Sequence, residues 1–468
     1  MPGLFGSLTL SAKALQAQQT ALEVTGRNIG NVNNPEYARQ RVILGERYSV
    51  PTSFGPEGTG VELLQVQQIR DALLDRQVVR QISDRSSLEA QEAALKDTEL
   101  ALGDRVDNAT TPTSVTDTSF STSGISGALD DFFNSFETLS TSPAEIPNRD
   151  AAIQSAQILA DRFNLADERI AHLQTDSESQ IKSDVERVNL ILNDIARLNA
   201  EIRQAGAAET GGAADLIDKR QAKLEQLAAL GKFELSSPTD APNQVDVSLG
   251  GFLLVTYGVT PNGPNPLLYT SATPATSAGL YPQSSATGFT KGKLSINGVD
   301  VTSNLTGGSI QGRINAITGG MTTLRSQLKT MADQITTAVN AQYAQDDGTG
   351  NGTTVSFFST TPTSGLMQVN TSLTSANLAT GANANPLGTN TNAGDNSYVK
   401  GIAGLRKTIF STAAGDKITG KLGDYIRTSI ATLAQNIKSV GTRAEEAKVI
   451  DTAIRAQRDS VSGCLLYT

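Results

Sequence analysis

The 468 residues include one cysteine, Cys464, and one histidine, His172. A disulfide within the chain, a Cys/His zinc site and a Cys-x-x-Cys redox centre are therefore excluded, and a histidine-dependent triad would rest on a single residue. Thirty-eight Lys and Arg against 47 Asp and Glu leave a net charge of -9, which repels a polyanion and argues against nucleic-acid binding.

The length suits about three domains at roughly 150 residues each. Aromatic residues make up 5% of the chain, with no Trp, which disfavours an aromatic-walled ligand pocket. At the N-terminus no cationic stretch precedes the apolar residues of MPGLFGSLTLSAKALQAQQ, and no apolar run anywhere approaches the roughly 20 residues of a membrane span. Neither a cleaved secretory signal nor membrane insertion is expected.

In chain order, the first element is a helix with a narrow apolar seam: Leu8, Leu15, Leu22 and Ile29 fall seven residues apart with mostly small or polar residues between. Such a seam buries little by itself, so the helix needs partners. Asn33-Asn34-Pro35 ends it in a turn. Leu88, Leu95 and Leu102 repeat the seven-residue step, and a continuous helix is expected from about Asp150 to Gln204. Its stripe runs through Ile181, Val185, Val188, Leu192, Ile195, Leu198 and Ile202. A matching stripe near the C-terminus runs from Ile426 to Ile454. From about Asp150 onward ordinary packing within one chain is the expectation.

Two stretches carry no Asp, Glu, Lys or Arg: Val247 to Thr290 and Gly348 to Gly394. The first reads as a β insertion, because VDVSL and FLLVTY flank Gly250-Gly251 while KLSI and VDV flank Asn297-Gly298. Gly-Gly and Asn-Gly supply the positive φ angles of type I′ hairpin turns. The second reads as an irregular outer excursion. The fold class expected is mainly α with a β insertion, an elongated multi-helix body of long antiparallel helices plus a small β domain. The expected division is an N-terminal helix and turn over 1–45, a helical body over 46–230 completed by 308–345 and 398–463, the β insertion over 231–307 and the outer excursion over 346–397. The insertion is expected to be removable without loss of the body.

Nothing in the motifs points to catalysis, and no catalytic, cofactor or metal residues are assigned. His172 lies in the charged stretch DERIAHLQTDSE, which suits a solvated helix face. GTGNG at Gly348 to Gly352 follows a pair of aspartates instead of a strand, so it reads as a turn and not a dinucleotide loop. Asp346, Asp347 and Asn351 lack the closing acidic residue of an EF-hand, since Phe357 and Phe358 occupy that region.

Residues 8 to 77 resemble the shared N-terminal region of the axial proteins of the bacterial flagellum, the rod, hook and hook-associated proteins. NIGN, Asn28 to Asn31, is followed by PEYARQ, Pro35 to Gln40, and the series continues through Gly58-Thr59-Gly60-Val61, Val66, Asp71 and Gln77. The motif residues are Asn28, Asn31, Tyr37, Arg39 and Gln40. LIDKRQAKLEQL at Leu216 to Leu227 and RDSVSG at Arg458 to Gly463 place the likeness in the hook-associated branch. Glu36 stands where that family usually has Gly, so a type I turn is expected there in place of one needing positive φ.

The resemblance implies a structural subunit, not an enzyme, exported through the flagellum-specific type III channel and placed between hook and filament. Its implied partners are copies of itself in a ring, the hook protein, a second hook-associated junction protein and an export chaperone, with no nucleic acid and no membrane insertion. Leu8, Leu15, Leu22 and Ile29 are then the expected subunit interface. The family pattern continues past Val-Ser-Gly into a terminal amphipathic helix, whereas this sequence reads CLLYT after Gly463, so weakened chaperone binding and assembly are expected. Other classes considered are a hook or rod protein, a helical stalk presenting the β insertion to a ligand, and a wall hydrolase using paired carboxylates.

Overall fold

The computed structural model describes residues 4–46, 49–52, 55–58, 60–103, 124–206, 213–238, 241, 243–271, 292–343, 356–363, 365–381 and 394–463. The Gly348–Gly352 loop, the Asp346–Asn351 acidic group and Cys464 lie outside them. Helix α1 spans Leu4–Gly30. A long hairpin follows, with β1 (Gln40–Glu46) antiparallel to β4 (Val61–Gln68) and β2 (Ser49–Thr52) antiparallel to β3 (Gly55–Gly58). The expected helical body from residue 46 thus begins with strands. Sequence alternation does not mark these strands, because β1 and β4 are mostly exposed and present no regular buried face.

The helical body is built from α2 (Ala72–Leu102), α3 (Ile125–Thr141), α4 (Ile146–Gly206) and α5 (Ala214–Leu230), continued by α6 (Gly308–Asn315), α7 (Thr322–Tyr343), α8 (Ser397–Gly404) and α9 (Leu422–Ser462). Asp71 starts α2 by accepting the Leu73 and Leu74 N–H groups at 2.8 and 3.3 Å. The 61 residues of α4 make a rod about 90 Å long at roughly 1.5 Å per residue. α2 and α9 run antiparallel, since Gln81 bonds the Ala447 carbonyl while Gly441 lies against Glu92. α4 and α5 do the same, with Asp194 paired to Lys223 and Asn199 to Arg220.

All seven residues of the Ile181–Ile202 stripe are buried, as are Ile426 through Ala447 of the α9 stripe. No described helix is long and apolar enough to cross a membrane.

Two three-stranded sheets follow α5: β5 (Glu234–Ser236), β6 (Asp246–Leu249) and β7 (Phe252–Val255), then β8 (Leu267–Thr270), β9 (Lys293–Ile296) and β10 (Val299–Asp300). Both hairpin turns have positive φ at their two central residues, 58° and 82° at Gly250-Gly251 and 51° and 81° at Asn297-Gly298. The apolar faces of these strands, including Val247, Leu254, Leu267 and Ile296, belong to the same hydrophobic cluster as α4.

The stretch around Phe357 is a correction to the outer-surface expectation. Phe357 and Phe358 are fully buried. The Phe357 ring stacks edge-on against Phe136 and Tyr343, each with centroids 5.6 Å apart. Absence of charge suits a buried segment as well as an exposed polar one, and composition alone does not separate the two.

Asparagines carried by helices tie these irregular segments down. Asn189 donates to the Leu267 carbonyl at 2.8 Å and accepts the Leu267 N–H at 3.1 Å. Asn340 clasps Phe358 in the same two-way manner at 2.9 Å for both bonds. Asn164 holds Met367 at 2.9 and 3.1 Å, and Asn199 holds Val245 at 2.8 and 3.4 Å. In each case a side-chain amide presents the donor and acceptor that a neighbouring strand would present.

Candidate assembly interface

Helix α1 has two apolar faces. The predicted seam is the uncovered one: Leu8, Leu15, Leu22 and Ile29 are between 57% and 72% exposed. Two residues further on, about 200° round the helix, Leu10, Ala17 and Val24 form a second heptad stripe. Ala17 and Val24 are buried, and α1 packs there on β1 and β4. Leu10 lies over Gly60, whose φ is 104° and where a Cβ would sit 2.5 Å from Leu10 Cδ1. Periodicity does not mark this second stripe, because alanine adds little to a hydrophobic seam until a strand is laid against it.

The motif residues assemble where α1 turns into β1. Asn28 donates to the Gln40 carbonyl at 2.9 Å, accepts the Gln40 N–H at 3.0 Å and accepts the Tyr37 hydroxyl at 2.9 Å. This is a fifth asparagine clasp, and it closes the loop from the end of α1 to the start of the sheet. Asn31 donates back to the Arg27 carbonyl at 2.9 Å and receives Asn34 Nδ2 at 3.4 Å. The Tyr37 N–H bonds the Asn34 carbonyl at 3.2 Å, and Glu36 does not have positive φ, so Asn34–Tyr37 turns without needing glycine. Arg39 joins the chain ends: its N–H donates to the Ser462 carbonyl and its carbonyl accepts the Ile69 N–H, both at 2.8 Å. Gln40, itself buried, donates Nε2 to Asp215 at 3.3 Å.

Beneath the turn lies a network of charges on residues distant in sequence. Asp218 of α5 accepts from Arg70, from Gln68 and from the Ala38 N–H. Arg70 also reaches Asp75 at 3.0 Å and the Glu36 carbonyl at 3.2 Å. A second group links α9 to α5 and α2: Arg458 pairs with Glu225 at 2.7 Å, Arg455 with Glu225 and Asp451 at 3.1 Å, and Arg85 with Asp451 at 2.6 Å. Burial pushes the Asp218 carboxyl above its ordinary range, with Arg70 and the N–H donors pulling the other way. Burial by itself would lower Arg70, but Asp75 and Asp218 outweigh it and its pKa is raised. The same balance raises Arg455 through Glu225 and Asp451.

Chemically this is a brace, not a reaction centre. It fixes the turn, the base of the hairpin, the start of α5 and the end of α9 to one another, and so fixes where α1 leaves the body. No spacing rule could have found Asp218, Arg70 and Glu225, because their partners lie far away in the chain. His172 is 74% exposed at its side chain, with Glu168 at 3.8 Å. No group of His, Cys, Asp and Glu among the described residues is arranged to hold a metal ion.

Comparison with known proteins bears on this arrangement. Residues 115–358, just over half of the chain, match the family model described as the flagellar hook-associated protein FlgK helical domain. The chain belongs to the FlgK family. Flagellar hook-associated protein 1 of Bacillus subtilis is 28% identical over 246 residues, covering 50% of this chain and 45% of that protein. The protein of the same name from Salmonella typhimurium is 28% identical over 223 residues, covering 47% and 37%. The matched region thus spans less than half the length of either relative. A solved structure of the flagellar hook junction protein FlgK from Burkholderia pseudomallei aligns over 60% of this chain and 46% of its own, with a TM-score of 0.47 and 21% identity. As a FlgK-family chain, it has long antiparallel helices with small antiparallel sheets.

Proposed function

We propose that the protein is a structural subunit of the bacterial flagellum, set between hook and filament after export through the type III channel, and that α1 is its assembly element. The observation that carries this reading is the seam of Leu8, Leu15, Leu22 and Ile29, left uncovered while the opposite face of the same helix packs on its own hairpin. Four large apolar side chains in one stripe are an interaction surface waiting for other helices. Copies of the same chain in a ring supply those helices, with the hook protein on one side and a second hook-associated protein on the other. Asn28, Asn31, Tyr37, Arg39 and Gln40 act as the positioning residues, holding α1 at the angle the ring requires. Motifs and burial support a role in architecture and not in catalysis.

The test is replacement of the chromosomal gene in the source bacterium by a Leu15→Asp/Leu22→Asp version. The variant chain should be made and exported, while cells carry hooks without attached filaments and fail to spread in soft agar. Normal filaments on the variant cells would remove α1 from the assembly interface.

A further inference from the structure

A cavity of about 420 Å³ opens between α2, α5 and the β5–β7 sheet, and none of its residues belongs to α1 or to the β1–β4 hairpin. Its apolar walls are Val79 on α2, Leu224 and Leu227 on α5, and Phe233, Leu235 and Leu249 from the sheet side. Arg76 and Arg80, one helical turn apart on α2, stand at this cavity, and neither has a hydrogen bond or ion pair among the described residues. Lys232 and Glu234 also line the opening but are engaged, Lys232 with Asp84 and Glu234 with the Ser248 hydroxyl, each at 3.2 Å, so the two guanidinium groups are its unanswered charges among the described residues.

The backbone adds a further feature. β5 is the edge of its sheet, paired to β6 on one side and to no described strand on the other. Residues 231 to 235 line the cavity in unbroken succession. Side chains of an extended chain alternate between faces, so consecutive residues share one cavity only where the edge of the chain runs along it. β5 thus offers a strand edge beside the apolar walls and the two arginines.

We propose that this cavity receives an extended peptide segment of a partner protein, which pairs along β5, places one apolar side chain between Val79, Leu227 and Phe233, and sets a carboxylate against Arg76 and Arg80. Edge pairing supplies affinity without sequence preference, while the pocket and the arginines select an apolar residue with an acidic neighbour. This site is independent of the assembly reading of α1.

The test uses the full chain, immobilised and screened with a phage-displayed library of random dodecapeptides. Selected peptides should share an apolar residue with Asp or Glu within two positions. A labelled synthetic copy of the best one, followed by fluorescence anisotropy, should bind an Arg76→Glu/Arg80→Glu variant at least tenfold more weakly, and a Lys-for-acid peptide should recover binding to that variant. Both arginines are exposed and unpaired, so circular dichroism should show an unchanged fold. Selection of no common pattern, or of peptides indifferent to the charge reversal, overturns the proposal. So does concentration-dependent self-association abolished by the same variant in sedimentation velocity, because the occupant is then a second copy of this chain.

Discussion

Asparagine is the residue on which the irregular parts of the molecule hang, and its role rests on having a donor and an acceptor on one short side chain. Asn189 is buried and uses both on Leu267. Asn189→Asp keeps the shape but turns a carboxylate oxygen toward the Leu267 carbonyl, so a loss of about 2–4 kcal/mol is expected in urea unfolding. Loss below about 0.5 kcal/mol would mean the clasp is incidental. Asp218 allows a sharper test, because its folded-state pKa is raised by burial. The folded chain then holds that proton more tightly than the unfolded chain, so ionisation of Asp218 weighs against folding at neutral pH. That penalty is lost as pH falls through the raised pKa toward the unfolded value. Asp218→Asn is expected to cost about 1–3 kcal/mol at pH 7 by removing a partner of Arg70, and the gap to the parent should widen between pH 7 and pH 4. A gap that narrows on acidification would show that the Arg70 pairing, and not burial, governs the carboxyl. None of these partnerships was legible in the sequence, because a polar side chain's partner depends on folding that brings residues 78 or 148 positions apart into contact.

At the scale of elements, periodicity carried the reading wherever one face of a helix is buried by its own chain. The stripe of α4 is buried throughout and that of α9 from Ile426 to Ala447, while Ile450 beyond it is 48% exposed, so the periodicity holds where the helix is covered by its own chain. α1 was found as a helix, but its inner face was not. The inner stripe is built on Ala17 and Val24 and is completed by strands that themselves lack a clear alternation. This asymmetry predicts opposite outcomes for two similar substitutions. Leu15→Asp lies on the exposed face and should leave the stability of the isolated chain within about 0.5 kcal/mol. Val24→Asp puts a charge at a buried contact with the hairpin and should detach α1. Hydrogen exchange of residues 8 to 30 measures the difference: unchanged rates for the first variant, and rates approaching those of an unstructured peptide for the second. Equal effects would mean that α1 does not rest on β1 and β4 in solution.

For the molecule as a whole, the absence of charge in a stretch does not tell what that stretch does. A stretch without charge marks either a polar surface loop or a segment drawn into the core. Phe357 and Phe358 take the second course, docked beside Phe136 and Tyr343 and clasped by Asn340. Arg149 shows how firmly this region is tied in: it is buried, donates to the carbonyls of Pro143, Ser375 and Leu378 at 2.8–3.3 Å, and has its pKa lowered by that burial. The β insertion follows the same logic. Its strands contribute Val247, Leu254, Leu267, Leu294 and Ile296 to the cluster that also contains the α4 stripe from Ile181 to Ile195, and the buried Arg220 of α5 depends on the Asn243 carbonyl for one of its bonds. The hairpin turns suggest a separable unit, but the core does not stop at its border. Removing residues 231–307 and closing the gap with a short linker uncovers the strand-facing side of α4 and leaves Asn189 and Asn199 without the peptides they hold. Each large apolar contact uncovered forfeits on the order of 1–3 kcal/mol, so a handful of them is comparable with the total stability of a domain. The shortened chain is therefore expected to melt well below the parent in calorimetry and to bind a hydrophobic dye, while the parent gives one transition that includes helix and strand together. A shortened chain that kept the parent's helix content and melting temperature would show that the body closes on itself without the sheets, and the continuous core would then not be what holds the two parts together.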